Sequence, residues 1–327
     1  MAASQVLPVG REPGRKAEGD DALDQPVWAR GLVKTFGRFR ALDEFDLTVV
    51  RGEVHGFLGP NGAGKSTTLR ALLGLIRVDS GEMQVFGLDP RRDAVAIHRR
   101  LAYVPGDVTL WPNLSGGETI DLLLRMRGAD ASDRRRAEML ERFELDPTKK
   151  GRAYSRGNRQ KVALVAAFAA DAELLLLDEP TAGIDPLMEE VFNECVRERT
   201  NAGATVLLSS HILSEVERLA DRVTIIREGR AVETGTLEEL RHLHRSHVQA
   251  QVSGQLPDLT GIPGIHDVTV TGQNIACTVD PEGLPHVLEA LTRVGVLTLT
   301  STPPTLEELF LDAYRGRTSP QPHTGSS

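Results

Sequence analysis

The chain has 327 residues, enough for two ordinary domains; with 40% hydrophobic and 26% charged residues it is not a wholly disordered protein. Its longest unbroken apolar run, Val162–Ala170, is far short of the roughly twenty residues a membrane span needs, so nothing reads as crossing a bilayer. A formal net charge of −8 argues against a protein that coats nucleic acid, and Cys195 and Cys277, far apart in sequence, read as reduced thiols of a cytosolic protein.

Residues 1–26 are polar and rich in Gly, Pro and charge, without the apolar core of a signal peptide, and are expected to form a disordered tail. The apolar run Val54–Leu58 reads as a strand. It leads into Gly59-Pro60-Asn61-Gly62-Ala63-Gly64-Lys65-Ser66-Thr67 and then a helical pattern. This string satisfies G-x-x-x-x-G-K-[ST]. Its glycines let backbone N–H groups turn inward around phosphate, Lys65 would reach the β/γ-phosphates, and the Ser66 hydroxyl would hold Mg²⁺. The pattern marks a nucleotide phosphate site.

Leu101–Val104 is a further strand. From Thr109 to Ala170 strand signals give way to helical patterns at Thr119–Met126, Ser132–Phe143 and Arg159–Ala170, an inserted helical subdomain. Leu174–Asp178 follows, four leucines without polar alternation, as expected of a strand covered on both faces of a parallel sheet. Asp178 at its end can hold the Mg²⁺ shell, and the adjoining Glu179 can polarise a water aimed at the γ-phosphate. His211 stands just after the strand Thr205–Ser209. There it would face the same crevice at the carboxyl ends of the strands. With a last strand at Val223–Ile226 the fold is an α/β P-loop NTPase.

After about Gly235 the texture changes. Val248–Val252, His266–Thr271, Asn274–Val279 and Val296–Ser301 read as strands and Leu284–Val294 and Thr305–Tyr314 as helices, a small α+β domain with a ferredoxin-like order. The expected division is 27–240 for the nucleotide domain, with its helical part at about 109–170, then 241–314 for the accessory domain and a disordered tail at 315–327.

Gly59–Thr67, Leu174–Glu179 with Pro180-Thr181-Ala182-Gly183-Ile184-Asp185, and Ser209-Ser210-His211 together resemble the nucleotide-binding subunit of ABC transporters, over about Val27–Leu240. That family's diagnostic element is an LSGGQ-like signature shortly before the strand ending in Asp-Glu. Leu114-Ser115-Gly116-Gly117-Glu118 is closer by letters but stands far upstream, and reads as a loop and helix cap. Tyr154-Ser155-Arg156-Gly157-Asn158 lies shortly before Asp178 and opens an apolar helix, so the signature is assigned there. Leu, Gly and Gln of the pattern become Tyr154, Arg156 and Asn158, while the Ser and the second Gly are kept.

The resemblance implies ATP and Mg²⁺ as ligands. It implies a head-to-tail dimer, with itself or a related subunit, in which Ser155 and Gly157 bind the partner's ATP and Asp185 lies at the seam. It also implies adenine stacking on Phe36 and hydrolysis by Glu179 and His211 with Lys65. Where the family has a glutamine after the strand 101–104, this chain has Gly106-Asp107, so that contact is lost, made by water or taken over by Asp107. The ending Pro304-Thr305-Leu306-Glu307-Glu308-Leu309-Phe310 is similar to the daunorubicin-exporter-like branch. The function implied is an ATPase powering export, of a drug or antibiotic, through a separate membrane permease at the cytoplasmic face of the membrane, with no nucleic acid as partner. The competing class is a soluble ABC ATPase acting on nucleic acid or ribosomes. Such proteins typically carry tandem nucleotide domains or a long coiled-coil insertion, and this chain has one such domain and no sustained heptads.

Overall fold

The computed structural model describes residues 25–128, 133–242, 245–259 and 261–315. The two tails expected from the sequence lie almost wholly outside them. The chain begins with β1 (Val27–Phe36), β2 (Phe39–Val49) and β3 (Val54–Leu58), then α1 (Lys65–Leu72), β4 (Ser80–Val85), α2 (Ala94–Arg100) and β5 (Leu101–Val104). The helices α3 (Gly116–Met126), α4 (Asp133–Arg142) and α5 (Arg156–Ala169) follow without an intervening strand. Next come β6 (Leu174–Asp178), α6 (Pro186–Asn201), β7 (Thr205–Ser210), α7 (Leu213–Leu219), β8 (Arg222–Arg227), β9 (Arg230–Thr236) and α8 (Leu237–His242).

A six-stranded sheet in the order β5-β6-β7-β3-β8-β9 forms the centre, parallel except for β9. The strands that precede the three expected motifs, β6, β7 and β3, are adjacent in it. The four-leucine run is covered on both faces, as its composition requires. Leu174 and Leu176 enter one core with Phe57, Leu69 and Phe45, while Leu175 and Leu177 enter the other with Val162, Phe168 and Phe192. The first core is closed by a second, antiparallel sheet, β2-β1-β4. The second core is closed by the helical subdomain and α6, including the stacked rings of Phe143 and Phe168 with centroids 6.1 Å apart.

The remaining elements are β10 (Ser246–Val252), β11 (Ile265–Thr271), β12 (Asn274–Val279), α9 (Leu284–Arg293), β13 (Val296–Thr302) and α10 (Leu306–Arg315). They build a sheet in the order β11-β12-β10-β13, with Val287 and Leu291 of α9 packed on one face. Its strand order and its antiparallel pairing throughout are those of a ferredoxin-like sheet, but among the described residues no helix stands between β10 and β11, where the ferredoxin-like order places one. The last helix does not stay with this sheet. Leu306 and Leu309 are fully buried in the nucleotide domain's core with Val216, Leu219 and Leu240.

Candidate nucleotide and hydrolysis site

The loop Gly59–Gly64 is shaped by its packing. Gly64 has φ 119°, and a Cβ there would lie 2.7 Å from the Ala41 carbonyl oxygen, so only glycine fits both the dihedral and the approach to β2. Ala63 N–H donates to Pro60 O at 3.1 Å and closes the turn. Lys65 opens α1 and folds back over the loop, its Nζ donating to Gly59 O at 2.5 Å and to Pro60 O at 3.3 Å. Burial lowers the Lys65 pKa, while Glu179 and Asp178 oppose that shift. Anionic phosphate oxygens delivered to this ammonium would relieve the desolvation.

At the end of β6, Asp178 is buried and its Oδ1 accepts from Ser209 Oγ at 2.5 Å, across the register pair Asp178↔Ser209. Glu179 takes the left-handed conformation, φ 47°, which costs a non-glycine residue about 1–2 kcal/mol. The turn carries its carboxylate out of the strand line. Glu179 N–H donates to Ser209 O at 2.9 Å, and Oε1 lies 3.3 Å from His211 Nδ1 and 3.9 Å from Lys65 Nζ. The structure therefore brings Lys65, Asp178, Glu179 and His211 to one place at the carboxyl ends of three adjacent strands. Ser66 lies in the first turn of α1, on the exposed side. Together, the Ser66 hydroxyl and the Asp178 carboxylate are hard oxygen donors that fit Mg²⁺. Among the described residues no group of three His, Cys, Asp or Glu could hold a metal, so an ion here would take its further ligands from phosphate and water.

Phe36 sits at the tip of the β1–β2 hairpin, 50% exposed, with Lys34 Nζ 5.1 Å from its ring centroid. That hairpin is attached to the phosphate loop through the Gly64–Ala41 contact. Ser155 caps α5, its Oγ accepting from Asn158 N–H at 3.3 Å. A Cβ on Gly157 would lie 2.4 Å from Gly183 O, so the helix start is pressed against the segment that follows Glu179. Asp185, exposed, caps α6 by accepting from Met188 N–H at 3.1 Å.

Two comparisons decide the family. A model described as "ABC transporter" matches residues 42–182, and one described as "ATP-binding protein DrrA1-3-like, C-terminal domain" matches 235–314. The daunorubicin resistance ATP-binding protein DrrA3 of Streptomyces coeruleorubidus is 36% identical, covering 88% of this chain and 95% of that protein. The chain belongs to the ABC transporter ATP-binding proteins. The bacitracin transport ATP-binding protein BcrA of Bacillus licheniformis is 33% identical over 88% of this chain and 96% of its own length. Among solved structures, an ATP-binding subunit of an ABC transporter superposes with a TM-score of 0.62 at 31% identity, covering 66% of this chain and 91% of that one. A dimeric ATP-binding cassette with ADP and phosphate shares the fold at 24% identity and a TM-score of 0.59.

This ABC ATPase binds and hydrolyses ATP as the energy-supplying subunit of a transporter. Among the described residues no helix is long and apolar enough to cross a membrane. One partner of the site was not assigned a role from the sequence. Ser209, read there only as part of Ser-Ser-His, is the group that holds Asp178. The missing glutamine also has a spatial counterpart. A Cβ on Gly106 would lie 3.1 Å from Asp178 O and 3.5 Å from Glu179 Cβ, so this loop presses its backbone against the acidic pair, while Asp107 is exposed. Gln160 of α5 donates through Nε2 to Pro105 O at 3.4 Å and ties the same loop to the signature helix.

Proposed function

We propose that this ATPase drives export of a drug or antibiotic through a separate membrane permease, docked peripherally at the cytoplasmic face of the membrane. The observation that carries the export reading is the 235–314 match, whose domain is shared with relatives named for daunorubicin resistance. In the same reading two subunits sandwich two ATP molecules. The loop Gly59–Thr67 cradles the phosphates of one ATP, Phe36 stacks on its adenine, and Ser155 and Gly157 of the opposite subunit cover its γ-phosphate, with Asp185 at the seam.

Mg²⁺, held by Ser66 and Asp178, would neutralise charge developing on the phosphate oxygens. Lys65 binds the β- and γ-phosphates. Glu179 accepts a hydrogen bond from the attacking water and orients it. His211, 3.3 Å from Glu179, holds that carboxylate and reaches the γ-phosphate. Asp107, exposed beside the site, serves the permease. Asp107→Ala should leave the basal ATPase of the isolated subunit unchanged and lower permease-stimulated turnover.

The test is co-expression with a multi-span permease in a drug-sensitive host, measuring accumulation of an anthracycline and of a peptide antibiotic. ATP-dependent lowering of accumulation that Lys65→Ala abolishes is the expected result. An active, permease-stimulated ATPase that changes the accumulation of neither compound would overturn the cargo reading.

A further inference from the structure

We propose that Glu215 is a positioning residue that fixes the backbone on both sides of His211 and so holds the imidazole in place against Glu179. The proposal rests on the hydrolytic roles given above. Glu215 lies in the first turn of α7, immediately beyond His211, and is 4% exposed. Ser210, the residue before His211, donates through Oγ to Glu215 Oε2 at 2.7 Å and accepts from Ile212 N–H at 3.0 Å. The Ser210 hydroxyl thus fixes the backbone on both sides of the histidine, and Glu215 fixes that hydroxyl.

At the strand ends Glu179 N–H donates to Ser209 O, and the placement of His211, two residues further on, is left to the Ser210 hydroxyl and Glu215. An acidic residue in a first helical turn ordinarily reaches back to the backbone N–H of the capping residue. Here that N–H, of Ile212, already goes to Ser210, so Glu215 is not used as a cap. Its Oε1 is buried with no hydrogen-bond partner, a desolvated oxygen that an apolar side chain in this place would avoid. Burial pushes the carboxyl's pKa up and Glu189 of α6 adds to the shift, against Ser210, Thr181 and Arg218, which oppose it. A buried carboxyl with one oxygen unpartnered, bonded to the hydroxyl that fixes the backbone around His211, is accounted for by the place it gives that histidine beside Glu179.

The experiment compares variants of the full-length chain with Mg²⁺ and ATP. Glu215→Ala should lower kcat by about 10- to 100-fold, the scale of an ångström misplacement in an active site. KM and equilibrium ATP binding should stay within about twofold, because the phosphate loop is untouched. Glu215→Gln keeps an acceptor for Ser210 and should recover most of the rate. Ser210→Ala should reproduce the kcat loss, and it carries the test if Glu215→Ala does not fold. In a His211→Ala background, Glu215→Ala should bring no further loss. A wild-type kcat in both Glu215→Ala and Ser210→Ala, or a loss that adds in full to that of His211→Ala, overturns the proposal. If His211→Ala alone hydrolyses ATP at the wild-type rate, the hydrolytic reading of His211 falls and this proposal with it. A His211→Ala loss beside intact Glu215 and Ser210 variants overturns this proposal alone.

Discussion

The helices α3 and α5 both begin with Ser followed closely by Gly, yet their starts are opposite in electrostatic character. At α3, Ser115 Oγ accepts from Glu118 N–H at 3.1 Å while Glu118 Oε2 accepts from Ser115 N–H at 2.6 Å and from Lys150 Nζ at 3.1 Å. Gly116 and Gly117 donate to Lys149 O and Pro147 O. Every amide of that helix start is used within the protein, and the positive end of the helix dipole faces its own acid. At α5 the first turn has no acidic residue, Ser155 and Arg156 are exposed, and the cap is the single Ser155–Asn158 bond. A helix start of that kind has amides and dipole left for an anion. Resemblance to a motif by letters is therefore a weaker guide than what the helix start has left to offer.

The strongest way to break this comparison uses a chain that binds ATP but turns over slowly. Glu179→Gln should slow hydrolysis by roughly 10²–10⁴-fold and leave an ATP-dependent dimer on gel filtration. Adding Ser155→Arg to that chain should abolish the dimer, whereas adding Ser115→Arg should leave it. The reverse ranking would sink the assignment of the signature to 154–158. The two starts also touch, since a Cβ on Gly116 would lie 2.2 Å from Tyr154 Oη. Gly116→Ala should therefore destabilise the chain by about 1–3 kcal/mol, the range for overpacking, as read from denaturant melts. Trimming the clash with Tyr154→Phe should recover part of it. No recovery would mean that the tyrosine does not set the spacing between the two starts.

The smallest effect concerns Glu118, whose pKa is held below the ordinary 4.5 first by the Ser115 N–H and then by Lys150. A depressed carboxyl adds stability that is present above its unfolded pKa and lost as pH falls through its folded one. Glu118→Gln should thus melt slightly below the wild type at neutral pH, with the gap closing under acid conditions. A gap that does not change with pH would show that the Glu118 charge has no part in closing α3.

What the sequence disclosed follows the same physics. The parallel strands were legible because they are apolar on both faces, and the site residues because they follow those strands directly. The antiparallel sheet was missed for reasons visible in its backbone. In β1 the buried residues are Val27, Ala29 and Leu32, and in β2 they are Ala41, Leu42, Phe45, Leu47 and Val49. The pairing of β1 with β2 shifts register between Ala29 and Leu32, between Leu32 and Lys34 and between Lys34 and Thr35, and Gly31 (φ 59°) and Glu44 (φ 53°) take left-handed dihedrals, so the alternation that marks a strand is broken. Asp46 accepting from Gly31 N–H at 2.6 Å holds the first irregularity in place. In β4 Val85 alone is buried, which leaves almost no apolar pattern to read. Ser209 escaped because a serine at a strand end has no sequence signature until the facing strand supplies Asp178.

The burial of Leu306 and Leu309 in the nucleotide domain bears on the order of folding. Residues 246–302 leave that domain after α8 and the chain returns to it at α10, with Glu308 Oε1 2.8 Å from His247 Nε2 at the crossing. By topology the C-terminal sheet is then an excursion pinned at both ends. A nascent chain has completed the ATP-binding motifs well before it emits the helix that closes their core. Until then the surface formed by Val216, Leu219 and Leu240 lacks its cover, and closing it requires a long-range contact that is slow to form. The folded accessory sheet pairs His247 with Thr302 and so brings its two ends together, which lowers the closure cost of seating Leu309.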